Sequence, residues 1–274
     1  MVSPAGAPGW TVMGVVNVTP DSFSDGGRWI EPSAAVAHGL ELAEQGAAIL
    51  DIGGESTRPG AAPVGEAEER RRVLPVVAGL AGCGALISVD TTKAGVARAA
   101  LEAGAGYVND VSALRGDPDL AGVVAQAGCP CCLMHMQGTP RTMQEHPRYD
   151  DVVDEVAAFL EERAAFAIAQ GIAAARIQVD PGIGFGKTLA HNLELLRRLN
   201  EIAALGFPVV IGVSRKAFLG HLTGREDPGE RVAATVAANV LAYERGAAVF
   251  RVHDVAPTVD ALRVASATLG GDDA

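Results

Sequence analysis

The sequence predicts an α/β fold, a (β/α)8 or TIM barrel in a single domain. Eight short runs rich in Val, Ile and Leu recur along the chain, each followed by a helix-like stretch. Runs buried on both faces are what a parallel sheet requires. Strand alternates with helix from end to end, and eight units favour a closed barrel over an open doubly wound sheet. The chain has 274 residues, a length that suits one barrel.

The first predicted strand is Thr11–Asn17 (TVMGVVN), and Thr19–Trp29, rich in Gly, Ser and Asp, follows as a long loop. Ser33 reads as the cap of a helix running to about Gln45, with Gly46 as its stop. The second strand, Ala48–Glu55, opens into a second long loop, Ser56–Gly65. A helix over Glu66–Leu80 leads to the third strand, Leu86–Thr91; another over Thr92–Ala103 leads to the fourth, Tyr107–Ser112. Asp117 and Pro118 read as N-cap and first residue of a short helix. The fifth strand, Cys132–Met136, opens into a third loop, Gln137–Pro147. An amphipathic helix, Asp151–Gln170, precedes the sixth strand, Ile177–Asp180. Helices Leu189–Leu205, Arg231–Arg245 and Pro257–Leu269 alternate with strands Val209–Arg215 and Ala248–Asp254. Residues 1–10 and 270–274 read as flexible tails around a barrel over 11–269.

Composition limits the function classes. The net charge of −11 argues against general affinity for nucleic acid or anionic membranes. A phosphorylated substrate remains compatible wherever a few Arg, Lys and His converge. No run approaches the roughly 20 apolar residues of a membrane span. Met1–Gly9 lacks the basic start and apolar core of a secretory signal. Cys83, Cys129, Cys131 and Cys132 lack zinc-knuckle spacing and read as reduced, buried thiols. A cytoplasmic location is expected.

Barrel enzymes carry their chemistry at the C-terminal ends of the strands. Those ends hold Asn17, then Glu55, Thr57 and Arg58, then Asp90, Asn109 with Asp110, His135, Asp180, Ser214 with Arg215 and Lys216, and Arg251 with His253. Acids dominate strands three, four and six; cations dominate strands seven and eight and the second loop. Such a rim suits an amide-like heterocycle on its acidic side and an anionic leaving group on its basic side. Arg251 and His253 alternate on one strand and share a face. Two cations facing inward without a counter-charge are costly, which favours a bound anion there.

No pattern builds a nucleophile, and GxSxG is absent. Asp180–Thr188 (DPGIGFGKT) evokes a P-loop, but Pro181 stands where that motif needs Gly. Its glycines read as a tight loop with close backbone approach. His135 and His253 belong to no recognised metal-ligand spacing. Taken singly, Asp90, Asn109 and Asp180 also read as caps or turn residues, Lys216 as a surface lysine and Met134 as core. Phe23, in a polar loop, has no apolar neighbours to bury it.

Seven blocks, in order, resemble the signatures of the dihydropteroate synthase family. They are MGVVNVTPDSFSDGG (Met13–Gly27), DIGGESTRPG (Asp51–Gly60), SVDT (Ser88–Thr91), VNDVS (Val108–Ser112), DPGIGFGK (Asp180–Lys187), SRKAFLG (Ser214–Gly220) and RVHDV (Arg251–Val255). The resemblance spans residues 11 to 265 and implies a folate-pathway transferase. It joins p-aminobenzoate to 6-hydroxymethyl-7,8-dihydropterin diphosphate, giving 7,8-dihydropteroate and pyrophosphate. It also implies that Asp90, Asn109, Asp180 and Lys216 hold the pterin, with Met134 on its face. Asn17, Thr57, Arg251 and His253 would hold the diphosphate, with Asn17 also on Mg²⁺. Phe23, Arg58, Pro59, Phe185, Gly212 and Ser214 would border the aminobenzoate. Asp90, Lys216, Arg251 and His253 would be catalytic. A homodimer is implied, through outer helices remote from the rim, with Arg231–Arg245 as a candidate surface. A pterin-dependent methyltransferase would not need the SRK and RVH blocks. A non-catalytic pterin-binding paralogue would be expected to have eroded first and second loops.

Overall fold

The structure, a computed structural model, describes residues 9–19, 32–58 and 60–270. Eight parallel strands close a barrel in sequence order. They are β1 (Thr11–Asn17), β2 (Ile49–Gly53), β3 (Leu86–Asp90), β4 (Tyr107–Asp110), β5 (Cys131–Met134), β6 (Ile177–Asp180), β7 (Val209–Ile211) and β8 (Ala247–Val252). Among the described residues the α-helices are α1 (Pro32–Glu44), α2 (Glu66–Leu80), α3 (Ala94–Glu102), α4 (Leu120–Ala127), α5 (Val152–Ala169), α6 (Leu189–Arg197), α7 (Leu199–Ala203), α8 (Ala217–Thr223), α9 (Val232–Glu244) and α10 (Val255–Thr268). Among these residues no helix is long and apolar enough to cross a membrane.

Strand alternation builds two cores. One parity, including Val12, Val16, Leu50, Ile52, Val89 and Phe250, packs against the helices in the main cluster. The other parity points into the barrel, where Met13, Ile49, Tyr107, Cys132, Val210 and Val249 form a plug. Asn17, Asp90, Asn109, Asp180 and Arg251 continue that inward parity toward the rim. Register aligns them: Asn17 pairs with Gly53, Gly53 with Asp90, and Asp90 with Asn109. Met134 pairs with Asp180. The hydrophobic pattern that closes the barrel therefore also positions a polar row above its plug.

Several local expectations are corrected. Pro32 is already helical, so Ser33 lies inside the first turn of α1 and does not cap it. Pro suits that turn because its missing N–H has no intrahelical partner to lose there. The helix expected from Thr92 begins at Ala94; Thr91 Oγ1 accepts the Lys93 N–H, and Asp117 Oδ2 accepts the Ala94 N–H. Asp117 also accepts the Asp119 N–H, and α4 starts only at Leu120. The single helix expected over Leu189–Leu205 breaks at Arg198, whose guanidinium reaches Asp151 and Asp154 at the start of α5 as well as Glu201. A further helix, α8, begins directly after Lys216 and stops at Gly224, where the expected pattern has none. The helix expected from Arg231 starts at Val232, after a 3₁₀ turn at Pro228–Arg231. The four cysteines are free thiols; Cys129, Cys131 and Cys132 are buried as expected, Cys83 is only half-buried, and burial pushes Cys131 up to about 12.

Candidate active site

The rim brings most of the sequence-predicted residues together. At its centre Arg251 donates from Nε to Asp51 Oδ2 at 2.7 Å and from Nη2 to Asp90 Oδ2 at 2.9 Å. Burial opposes charge on Arg251, but Asp51 and Asp90 hold its pKa above the ordinary value. The Asp90 carboxyl is also raised, up to about 8, because burial and then the Asp51 charge outweigh Arg251. The inward guanidinium thus has two acidic partners, Asp51 and Asp90.

Asp180 and Lys216 face each other across Gly212. A Cβ at Gly212 would lie 3.8 Å from Lys216 Nζ, 3.9 Å from Asp180 Oδ2 and 4.0 Å from Arg251 Cβ. That bare backbone is where groups from three strand ends meet. Asp180 Oδ1 accepts the Gly182 N–H at 2.7 Å, and burial raises the carboxyl's pKa. Lys216 donates to the Ile183 carbonyl and lies 4.6 Å from the centre of the Phe185 ring. Burial lowers its pKa to about 8 despite Asp180. Met134 and Phe185 join Val111, Met136 and Met143 in a small apolar wall.

His253 and Ser214 form a pair: Ser214 Oγ is 3.0 Å from His253 Nδ1 and accepts the His253 backbone N–H at 3.1 Å. Burial, then the charges of Arg251 and Arg215, push His253 down to about 4. The expectation of two inward cations is corrected: at neutral pH only Arg251 carries charge. Arg215 turns from the rim to Asp254, donating from Nε at 2.9 Å. Thr57 and Asp90 line one cavity of about 350 Å³, with Arg115, Val111 and Met136. Arg58 is exposed, its amide on Ser56 Oγ at 3.4 Å. Asn17 ends β1 in register with Gly53. Phe23 and Pro59 lie outside the described residues.

Some strand-end residues serve elsewhere, and others were missed. Glu55 pairs with Lys93, which also holds Glu69 at 2.5 Å. Asp110 accepts the Ser112 and Leu114 amides and shapes its own turn. His135 Nδ1 lies 2.9 Å from Lys187 Nζ, which also donates to the Phe185 carbonyl at 3.0 Å. Burial lowers Lys187 to about 7 and His135 to about 3. Asp51 and Lys187, whose partners lie far away in the chain, are not strand-end residues, and nothing local names those partners. Asp51 is an acid in a strand interior, a position where charge signals a buried partner.

The arrangement offers fixed donors and acceptors for a flat heterocycle beside one strong cation, and among the described residues no activated nucleophile. The family model for pterin binding enzymes matches residues 13–253. The dihydropteroate synthase of Neisseria meningitidis serogroup C is 51% identical over 255 residues, covering 92% of this chain and 90% of its own. The chain belongs to the dihydropteroate synthase family. Solved members of that family superpose on it. The Xanthomonas albilineans dihydropteroate synthase with 4-aminobenzoic acid matches at TM-score 0.90 and 55% identity, over 95% of this chain and 93% of that one. The same organism's dihydropteroate synthase in complex with 7,8-dihydropteroate matches at TM-score 0.86 and 51% identity, over 95% and 94%. In a dihydropteroate synthase, a site without a nucleophile is chemically sufficient, because the incoming amine is the nucleophile and pyrophosphate the leaving group.

Proposed function

We propose a division of labour for the rim in the family's reaction. The chain is a folate-pathway transferase that condenses 6-hydroxymethyl-7,8-dihydropterin diphosphate with p-aminobenzoate. Asp180 Oδ2 accepts from the pterin's amino and ring N–H groups, Asn109 bonds the same ring, and Lys216 donates to a ring acceptor. Met134 packs on its face. Arg251, His253, Asn17 and Thr57 take the diphosphate. Phe185, Gly212, Ser214 and Arg58, with Phe23 and Pro59, border the aminobenzoate. The meeting of Asp180, Lys216 and Arg251 around Gly212 carries this reading.

The methylene C–O bond breaks, pyrophosphate leaves with the bonding electrons, and the pterin carries the positive charge. The aminobenzoate nitrogen then forms the C–N bond and releases a proton. Arg251 neutralises charge developing on the leaving oxygens, and His253 donates a hydrogen bond to them. Asp90, when ionised, favours the cation. The cation would react with water, so water must be excluded while the amine attacks.

Mg²⁺ fits this site as a diphosphate-borne ion. A point beside Gly53, where a Cβ would stand, is 3.9 Å from Asn17 Oδ1 and 3.6 Å from Asp90 Oδ2. Among the described residues no group of three or more His, Cys, Asp or Glu forms a metal cage. Asn17 would supply one oxygen, and phosphate and water the rest. When bound, the ion supplies further positive charge to the leaving group.

We infer a homodimer through the outer layer, supported by exposed Leu241 on α9 and Val264 on α10. The buried free thiols and the acidic charge balance support a cytoplasmic enzyme. The deciding assay is pyrophosphate release. It should require both the pterin diphosphate and p-aminobenzoate, and Arg251→Ala should weaken pyrophosphate binding far more than binding of a phosphate-free pterin. Equal losses for the two ligands would contradict the assigned anion pocket.

A further inference from the structure

Asp51 is a fully buried carboxylate with three side-chain partners. Oδ1 accepts from Ser88 Oγ at 2.5 Å, while Oδ2 accepts from Asn109 Nδ2 at 2.9 Å and from Arg251 Nε at 2.7 Å. It stands on β2 two residues below Gly53, level with Ser88, on the inward face between the apolar plug and the rim. We propose that Asp51 is a positioning residue that holds Asn109 and Arg251 in one unit and so links the pterin half of the site to the diphosphate half. The proposal rests on the division of labour given above.

The argument begins with the carboxylate itself. Bonded on both oxygens, it cannot swing toward either partner alone. An amide can turn over and exchange its donor and acceptor. With Nδ2 committed to Asp51, Asn109 keeps Oδ1 and one N–H in a fixed order for a heterocycle. A turned amide would offer a donor where the ring also donates. The same oxygen sets the guanidinium plane. Of five N–H donors on an arginine, Arg251 gives one to Asp51 and one to Asp90, which leaves three for phosphate oxygens. Asp90 bonds only the terminal nitrogen, so it cannot fix that plane alone. Since Asn109 and Arg251 share a single acceptor atom, a shift of either changes the other's hydrogen bond. A ligand ordering one side therefore meets a better-ordered opposite side.

Asp51→Asn keeps size but removes the charge that faces the Arg251 guanidinium and leaves one neutral acceptor oxygen to serve Asn109 and Arg251. It should weaken both inorganic pyrophosphate and a phosphate-free pterin by about tenfold or more, with kcat falling as well. Double-mutant cycles separate positioning from simple stability. In an Arg251→Ala background the added loss for pyrophosphate should shrink to less than about threefold, and in an Asn109→Ala background the loss for pterin should shrink likewise. Additive cycles, or unchanged affinity for both ligands, would overturn the proposal. If Asp51→Asn does not fold, Ser88→Ala frees Oδ1 while keeping the charge, and should weaken both ligands in folded protein; no change there overturns it too. A failure of the underlying site reading looks different: Arg251→Ala and Asn109→Ala would then bind both ligands as the parent does.

Discussion

Asp180 has its two oxygens committed differently. Oδ1 accepts the Gly182 N–H, while Oδ2 lies on the Gly212 side of the site. Asp180→Asn should cost about 1–3 kcal/mol in binding a pterin analogue, measured by calorimetry, because a buried acceptor becomes a donor. Unchanged affinity would remove Asp180 from the site. Lys187 allows a test of burial. Burial brings its pKa in the folded protein down to about 7, from an ordinary 10.5. Between those values the unfolded chain binds the proton more fully than the native chain. Native stability therefore rises with pH across that window and is lowest, through this group, below it. Urea unfolding from pH 7 to 9 should show the parent gaining stability relative to Lys187→Met. A flat difference would mean Lys187 is not held in a desolvated place.

The segment Gly182–Lys187 between β6 and α6 shows how an element sets a residue. Gly182 has φ +68°, and a Cβ there would lie 1.8 Å from the His135 carbonyl oxygen. The glycines serve close packing on the β5 loop, where Gln144 donates to the Gly184 carbonyl and Tyr149 to that of Gly186. Gly182→Ala should destabilise the chain by more than about 2 kcal/mol in denaturant unfolding and weaken pterin binding, since backbone cannot move aside cheaply. Gly122→Ala in α4, with nothing within 4 Å of its Cβ, should instead stabilise by roughly 0.5–1 kcal/mol. Similar effects at the two sites would refute the packing argument.

Over the whole molecule, the proposed anion and aminobenzoate sites share one rim, and the second loop is tied to the third by a Gly60 N–H bond to the Pro140 carbonyl at 3.2 Å. A sulfonamide, an arylamine with an acidic group like aminobenzoate, should bind at least about fivefold more tightly once pyrophosphate and Mg²⁺ are present. Calorimetry with and without them tests this; equal affinities would show that the two subsites are uncoupled. Leu241 and Val264 are 52% and 68% exposed on neighbouring helices. Val264→Glu should shift the chain toward monomer by light scattering, with little loss of thermal stability. A variant that stays dimeric would move the interface elsewhere.

Strand order and most of the rim were legible in the chain because both follow from period-two patterning: apolar runs specify buried strands, and the polar residue at each end must emerge at one rim. Asp90, Asn109, Asp180 and Arg251 could be named on that basis, whereas Lys216 stands past the end of β7, directly before α8. Helix limits were less legible. Arg198 breaks a continuous helical pattern through acids at positions 151 and 154, and Asp117 shares its carboxylate with α3. Partners far apart in the chain leave no local periodic signal. The state of the site was the least legible. Asp51 meets Arg251 across 200 residues, Lys187 meets His135 across 52, and His253 loses its charge through burial among cations. Residue types and their spacing determined which groups reach the rim. Only closure of the barrel decided which of them share a proton, a charge or a hydrogen bond, because desolvation and Coulomb energy depend on distances in space that the order of residues does not contain.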